Sequence, residues 1–184
     1  MKNTIRNLLL IFLICQILAV NGLAQEPDEK LAPLKPLLNS IWKGDFRLPD
    51  GTVESVVTRI YELIPGGKVI RMIKKNEGKD NWGEGFFYWD DMSGKIACFF
   101  IDNNGVFSSG FVHVAGDSLI VEGKMTWPSQ VNPRLKQSYD FRNVFLFTGN
   151  EKMVDRWYMN AFGPWKPGHV IEFRGSKPNE VSRE

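Results

Sequence analysis

The sequence predicts an all-β protein: a single antiparallel meander barrel of about ten strands, entered through a short N-terminal helical segment. Two observations carry this. Between residues 40 and 175, stretches rich in Val, Ile, Phe, Tyr and Trp are cut at short intervals by the turn dipeptides Asp50-Gly51, Gly66-Gly67, Ser93-Gly94, Asn104-Gly105, Gly116-Asp117 and Gly149-Asn150. Such punctuation marks hairpins. No helical segment follows that could cover a sheet, and a long uncovered meander must close on itself or split into two sheets. Closure makes a barrel with an inside.

Before the strands, Glu29 to Asn39 carries leucines at 31, 34, 37 and 38 at a helical spacing, while Pro33 and Pro36 limit it to one or two turns. Leu34 and Leu37 are expected to pack on one end of the barrel. The strands are then expected at Ile41 to Leu48, Thr52 to Ile64, Lys68 to Lys75, Trp82 to Asp90, Lys95 to Asp102, Val106 to Val114 and Asp117 to Met125. A proline-bearing loop, Trp127 to Arg134, breaks the rhythm. Leu135 to Phe147, Lys152 to Phe162 and Gly168 to Arg174 complete the set, the last entered through the rigid turn Gly163-Pro164-Trp165-Lys166-Pro167.

Alternation assigns faces. Tyr139, Phe141, Asn143, Phe145 and Phe147 share one; Met153, Asp155, Trp157 and Met159 another; His169, Ile171 and Phe173 a third. A hairpin pivoting on Gly149 would set Asn143 opposite Asp155 and Phe141 opposite Trp157. The glycines at 83 and 85 read as sites of close packing or coiling.

The N-terminus reads as an export signal. Lys2 and Arg6 precede an apolar run from Leu8 to Val20 interrupted by Gln16, and Gly22-Leu23-Ala24 offers small residues for cleavage before Gln25. The run is shorter than the roughly 20 residues of a membrane span. A lipid anchor on Cys15 is the competing reading, against which Ile14 stands where Gly or Ala would be wanted. The expectation is therefore a signal over 1–24, one domain over 25–175 and a polar, disordered tail over 176–184, in a periplasmic or secreted protein. Removing Lys2 and Arg6 from the 23 basic residues leaves 21, equal to the 21 acidic ones. A neutral chain without a basic block gives no support for nucleic-acid binding or for stable docking on a membrane. Cys98 would be the one remaining cysteine, and its setting in Ile96-Ala97-Cys98-Phe99-Phe100 predicts burial rather than pairing.

The opening Leu34…Leu37-Leu38…Ile41-Trp42-Lys43-Gly44-Asp45-Phe46 resembles the start of a lipocalin-type barrel, with Ser40 in place of the usual first Gly. Tyr61 to Ile70, Glu84 to Asp90, and Trp165 to His169 with Glu172-Phe173-Arg174 are similar to an uncharacterised family of bacterial lipocalin-like domains. The resemblance implies a calycin-type barrel in which Trp42 plugs the closed end. It implies no activity.

Candidate site residues are the isolated polar groups on apolar faces. Asp155 and Glu84 are acids in apolar company, to be paired with Asn143 or with a counter-charge such as Arg59 or Arg71, or to orient a ligand. His169 opens the last strand on its apolar face; nitrobindins, haem-binding barrels of related shape, take iron through a late-strand histidine. His113 is expected to be a locally bonded strand residue. Two histidines and one mature cysteine leave little for a zinc site, and no nucleophile elbow or phosphate loop occurs. The leading expectation is a barrel holding a small, mostly apolar ligand, without a cofactor, lined by Trp82, Glu84, Phe86, Tyr88, Phe141, Asp155, Trp157 and His169. The alternatives are an enzyme with Asp155 or Glu84 as general acid or base, a haem barrel through His169, and an interaction protein whose outer aromatics dock a partner.

Overall fold

The computed structural model describes residues 26–48, 50–129, 132, 135–149, 151–161 and 163–177. The expected signal segment and the tail beyond 177 lie outside the described residues. Ten antiparallel strands run β1 (Ile41–Arg47), β2 (Val53–Leu63), β3 (Val69–Glu77), β4 (Asn81–Asp90), β5 (Lys95–Asp102), β6 (Phe107–Ala115), β7 (Ser118–Pro128), β8 (Lys136–Phe147), β9 (Lys152–Asn160) and β10 (Lys166–Ser176). Each pairs with its neighbours in sequence, and β1 pairs with β10, from Ile41 opposite Ser176 to Phe46 opposite Ile171. The barrel is closed, as the meander pattern predicts, and closure removes both sheet edges. The main boundary changes are that β7 runs on through Trp127 to Pro128 and that β10 starts at Lys166, inside the stretch expected to be a rigid turn, and ends at Ser176, the first residue of the expected tail.

Turn chemistry sets the hairpins. Gly51, Gly67, Gly94, Gly105, Gly116 and Gly149 all adopt positive φ, the region in which a side chain would be strained. The β8–β9 pairing differs from the Gly149 pivot by two residues. Asn143 faces Trp157, and Phe145 faces Asp155. A slip of two keeps every side chain on its face, so the inward assignments on these strands survive it.

One end is plugged. The segment Glu29–Leu37 is a 3-10 helix, and its three residues per turn align Leu31, Leu34 and Leu37 on one buried stripe. The Asp28 carboxylate accepts from the Lys30 N–H at 3.0 Å and starts the helix. Beneath it lies Trp42, fully buried, whose Nε1–H donates to the Leu37 carbonyl at 3.0 Å. Gly175 directly opposite leaves the Trp42 ring its place, with a Cβ there coming within 3.3 Å of it. Ile70, Val57, Met153, Ile171 and Phe173 continue this core. The outer wall carries ion pairs such as Lys43–Glu77, Lys124–Asp140 and Arg142–Glu122. No helix among the described residues is long and apolar enough to cross a membrane.

Because Trp42 fills the plugged end and satisfies a helix carbonyl, Trp42→Ala should cost about 3–5 kcal/mol. Urea unfolding should place the midpoint well below wild type, with Trp42→Phe in between; an unchanged midpoint would remove Trp42 from this role.

Candidate functional site

Strand alternation brings an unusual set of polar side chains inside. On β2, Ser55, Val57, Arg59 and Tyr61 point inward and are buried. On β3 the same face carries Ile70, Met72 and Lys74. β9 contributes Met153, Asp155 and Trp157; β10 contributes His169, Ile171 and Phe173; and β8 contributes Phe141, Asn143 and Phe145.

At the centre, Arg59 and Asp155 form a salt bridge of 2.6 Å. Asp155 is fully shielded from solvent, and Arg59 nearly so. The other carboxylate oxygen accepts from Asn143 Nδ2 at 3.0 Å. The guanidinium lies over the Phe173 ring at 4.7 Å and near the Phe145 ring at 5.7 Å. A buried charge this deep survives only when paired and hydrogen-bonded, which Asn143 and Arg59 achieve for Asp155.

Around this pair hydrogen-bonding capacity is left over. Arg59 Nε, the Tyr61 hydroxyl and His169 Nε2 are buried without a hydrogen-bond partner among the described residues. The Arg59 guanidinium approaches the Tyr61 hydroxyl as a loose donor, but the contact falls short of a hydrogen bond of normal geometry and leaves the Tyr61 O–H proton without an acceptor among the described residues. Burial, helped by the Asp155 charge, pushes the Tyr61 hydroxyl upward in pKa, so it remains a donor. Lys74 sits directly opposite Arg59 across β2 and β3, two cations side by side. Its ammonium lies 5.8 Å from the Phe100 ring and has no ion-pair partner among the described residues. Burial, then the Arg59 charge, brings its pKa down to about 8 against the pull of Asp102 and Asp155.

His169 is held by rings. Trp157 stacks on it with centroids 5.4 Å apart and planes 8° from parallel, and Phe46 tilts against it at 5.0 Å. A Cβ on Gly168 would fall on the Trp157 ring, so only glycine lets that stack form. His169 Nε2 is 4.0 Å from Asp155. Burial lowers its pKa to about 4, outweighing Asp155, so the imidazole is neutral at neutral pH.

Four of the residues expected to line the site thus come together inside: Phe141, Asp155, Trp157 and His169. The other four do not. On β4 the inward face is Gly83, Gly85 and Phe87; Trp82, Glu84, Phe86 and Tyr88 point outward. Trp82 is 50% exposed, and Glu84 forms a two-pronged ion pair with Arg71 on the outer wall. The interior acid role for Glu84 is therefore overturned. The reason is packing: a Cβ at Gly83 would fall on the Phe100 ring, and one at Gly85 would come within 3.1 Å of Met72 Cε. The interior needs the bare backbone of β4 there, and the bulky alternate residues go outside. His113 is likewise on the outer wall, 3.7 Å from Glu122. Cys98 is part-buried against the core, and burial raises its thiol to about 12, which keeps it protonated and inert.

Arg59 enters the sequence reading as a counter-charge for Asp155, a role the geometry gives it. Lys74 and Tyr61 are missed. The signal for both is present, since Ile70-x-Met72-x-Lys74 and Val57-x-Arg59-x-Tyr61 each place a polar group on an apolar face.

The fold and this cluster define a class: a closed ten-strand meander barrel with a charged, incompletely bonded interior. No protein-family profile matches the chain, and no curated protein sequence is significantly similar to it.

Two outcomes follow from the cluster. Removing one partner of the pair, as in Asp155→Ala, should destabilise the protein by about 3–5 kcal/mol, because Arg59 is left buried and uncompensated. Replacing both, Arg59→Met with Asp155→Leu, should recover most of that loss in the same unfolding assay. His169 gives the pH dependence. Its folded pKa lies below the ordinary 6.5, so its contribution is complete above pH 6.5 and is lost as pH falls towards 4, where the unfolded chain binds a proton the folded one refuses. The loss amounts to roughly 3 kcal/mol at the acid end. A His169→Phe variant should show a correspondingly flatter profile over that window; identical profiles would contradict the assignment.

Proposed function

We propose that this chain is an exported, lipocalin-like barrel that takes a small, mostly apolar ligand into the unplugged half of its interior. One observation carries the reading. Met72, Lys74, Phe100, Met125, Trp157 and His169 all point into the barrel, yet each is only part-buried. In a barrel filled by its own side chains such residues are buried like Val57 or Ile70 at the plugged end. Aromatic and methionine walls with a few convergent polar groups are the composition of a small-molecule site. Apolar burial, at about 25 cal/mol per Å², would supply affinity, and the polar groups would fix orientation.

The other expectations draw less support. Asp155 has both carboxylate oxygens engaged, by Arg59 and Asn143, which is the setting of a structural group rather than of an acid poised to transfer a proton. A haem iron would need His169 Nε2, but that atom is turned towards Asp155 at 4.0 Å and Trp157 lies flat on the ring. The residues around Nε2 do not fit a haem there.

Native mass spectrometry of the protein recovered from the periplasm of expressing cells, with an absorption spectrum on the same sample, tests the proposal. A co-purifying small molecule without a Soret band is expected, and Trp157→Ala should reduce its occupancy. An apo mass, joined to tryptophan emission that no apolar ligand alters, would sink it.

A further inference from the structure

We infer that the interior ligand carries an anionic oxyanion head, seated among Lys74, Arg59 and Tyr61, on an apolar or aromatic body. This rests on the interior-binding reading above and names the chemistry of the molecule bound.

Arg59 and Lys74 face one another across β2 and β3, an arrangement that opposes folding when both are charged. The groups that face Lys74 from the strands around it are Arg59, Gly83, Phe100, Asp102, Asp155 and His169. Of the two acids among them, Asp155 is tied to Arg59 and Asn143. Asp102 accepts from the backbone N–H groups of Asn104 at 2.9 Å and Val106 at 3.0 Å, holding the β5–β6 turn. No carboxylate is left for Lys74 among the described residues. Two cations and two acids thus face one another, yet both acids are held by other groups and Lys74 forms no ion pair among the described residues.

Donors converge on the same place. Arg59 Nε–H and the Tyr61 O–H, both in residues more than nine-tenths buried, have no acceptor among the described residues. Lys74 adds an ammonium that has the Phe100 ring at 5.8 Å and no ion-pair partner among the described residues. An arrangement of buried donors lacking acceptors is complementary to an oxyanion, which accepts several charge-assisted bonds at once. A cation there would meet the Arg59 guanidinium and the Lys74 ammonium, which an anion pairs with instead. His169 is neutral at neutral pH and adds no charge here. Part-buried Met72, Phe100 and Trp157 would receive the body of the ligand.

Two fluorescent probes of nearly the same aromatic body separate the head from the body: anilinonaphthalene sulfonate, which is anionic, and phenylnaphthylamine, which is neutral. Both are titrated against the purified full chain at neutral pH. The expected result is one-to-one binding of both, with the sulfonate about tenfold tighter or more, as charge-assisted contacts in a desolvated site provide. Lys74→Met should erase that preference by weakening the sulfonate, while its unfolding midpoint is not lowered, because a like-charge pair has been relieved. Tyr61→Phe should reduce the preference in part. Equal affinities, or a preference that persists in Lys74→Met, would overturn the inference while leaving the interior-binding reading standing. Binding of neither probe would overturn both.

Discussion

The salt bridge between Arg59 and Asp155 is the interaction on which the rest of this structure turns. It joins β2 to β9, the strands that flank β1 and β10, and so spans the seam where the meander closes into a barrel. The two residues are 96 apart in sequence, so the contact exists only once the ends of the chain have met. Taking two charges out of water is costly, and a pair of well-packed apolar residues could fill the same space at similar stability. The seam does not need an ion pair for strength. What the pair supplies is a polar interior: it anchors Asn143, lies within reach of Tyr61 and His169, and sets the field that Lys74 experiences.

That polar interior depends on an asymmetry between the two ends. At one, the leucines of the 3-10 helix, Trp42 and the surrounding aliphatic side chains are packed as densely as a core allows. Towards the other, inward side chains keep some exposure. Small residues shape the boundary. Gly83 and Gly85 let Phe100 and Met72 lie against bare backbone, Gly168 admits the Trp157 ring beside His169, and Gly110 and Gly123 meet face to face where β6 crosses β7, with no room for a Cβ on either. The interior is thus sculpted as much by missing side chains as by those present.

Much of the fold is legible in the sequence because its determinants are local. Turn glycines mark every short hairpin they are expected to mark, and the two-residue period assigns faces on β8, β9 and β10 without reference to neighbours. The leucine triad is legible too, though the prolines and the spacing of three favour a 3-10 helix over α-turns. What fails is non-local. On β4 both faces are plausible from sequence, and the aromatic one looks like the core; only the Phe100 ring and the Met72 side chain, arriving from β5 and β3, decide that the glycine face is inside. The β8–β9 register fails by two residues because the hairpin's pivot is not fixed by Gly149 alone. The Asp155–Asn143 contact survives as a diagonal hydrogen bond, whereas the Lys74–Arg59 juxtaposition depends on a β2–β3 register that the chain does not announce.

Closure around the Arg59–Asp155 pair shields an interior in which Lys74 faces Arg59 and forms no ion pair among the described residues. The titration of Lys74, followed by nuclear magnetic resonance at its side-chain carbon next to the ammonium, tests this most directly. In such an interior, burial and the neighbouring guanidinium bring the pKa down to about 8. A Lys74 titrating at the ordinary 10.5 would mean that its charge is solvated or already balanced, and would contradict the account.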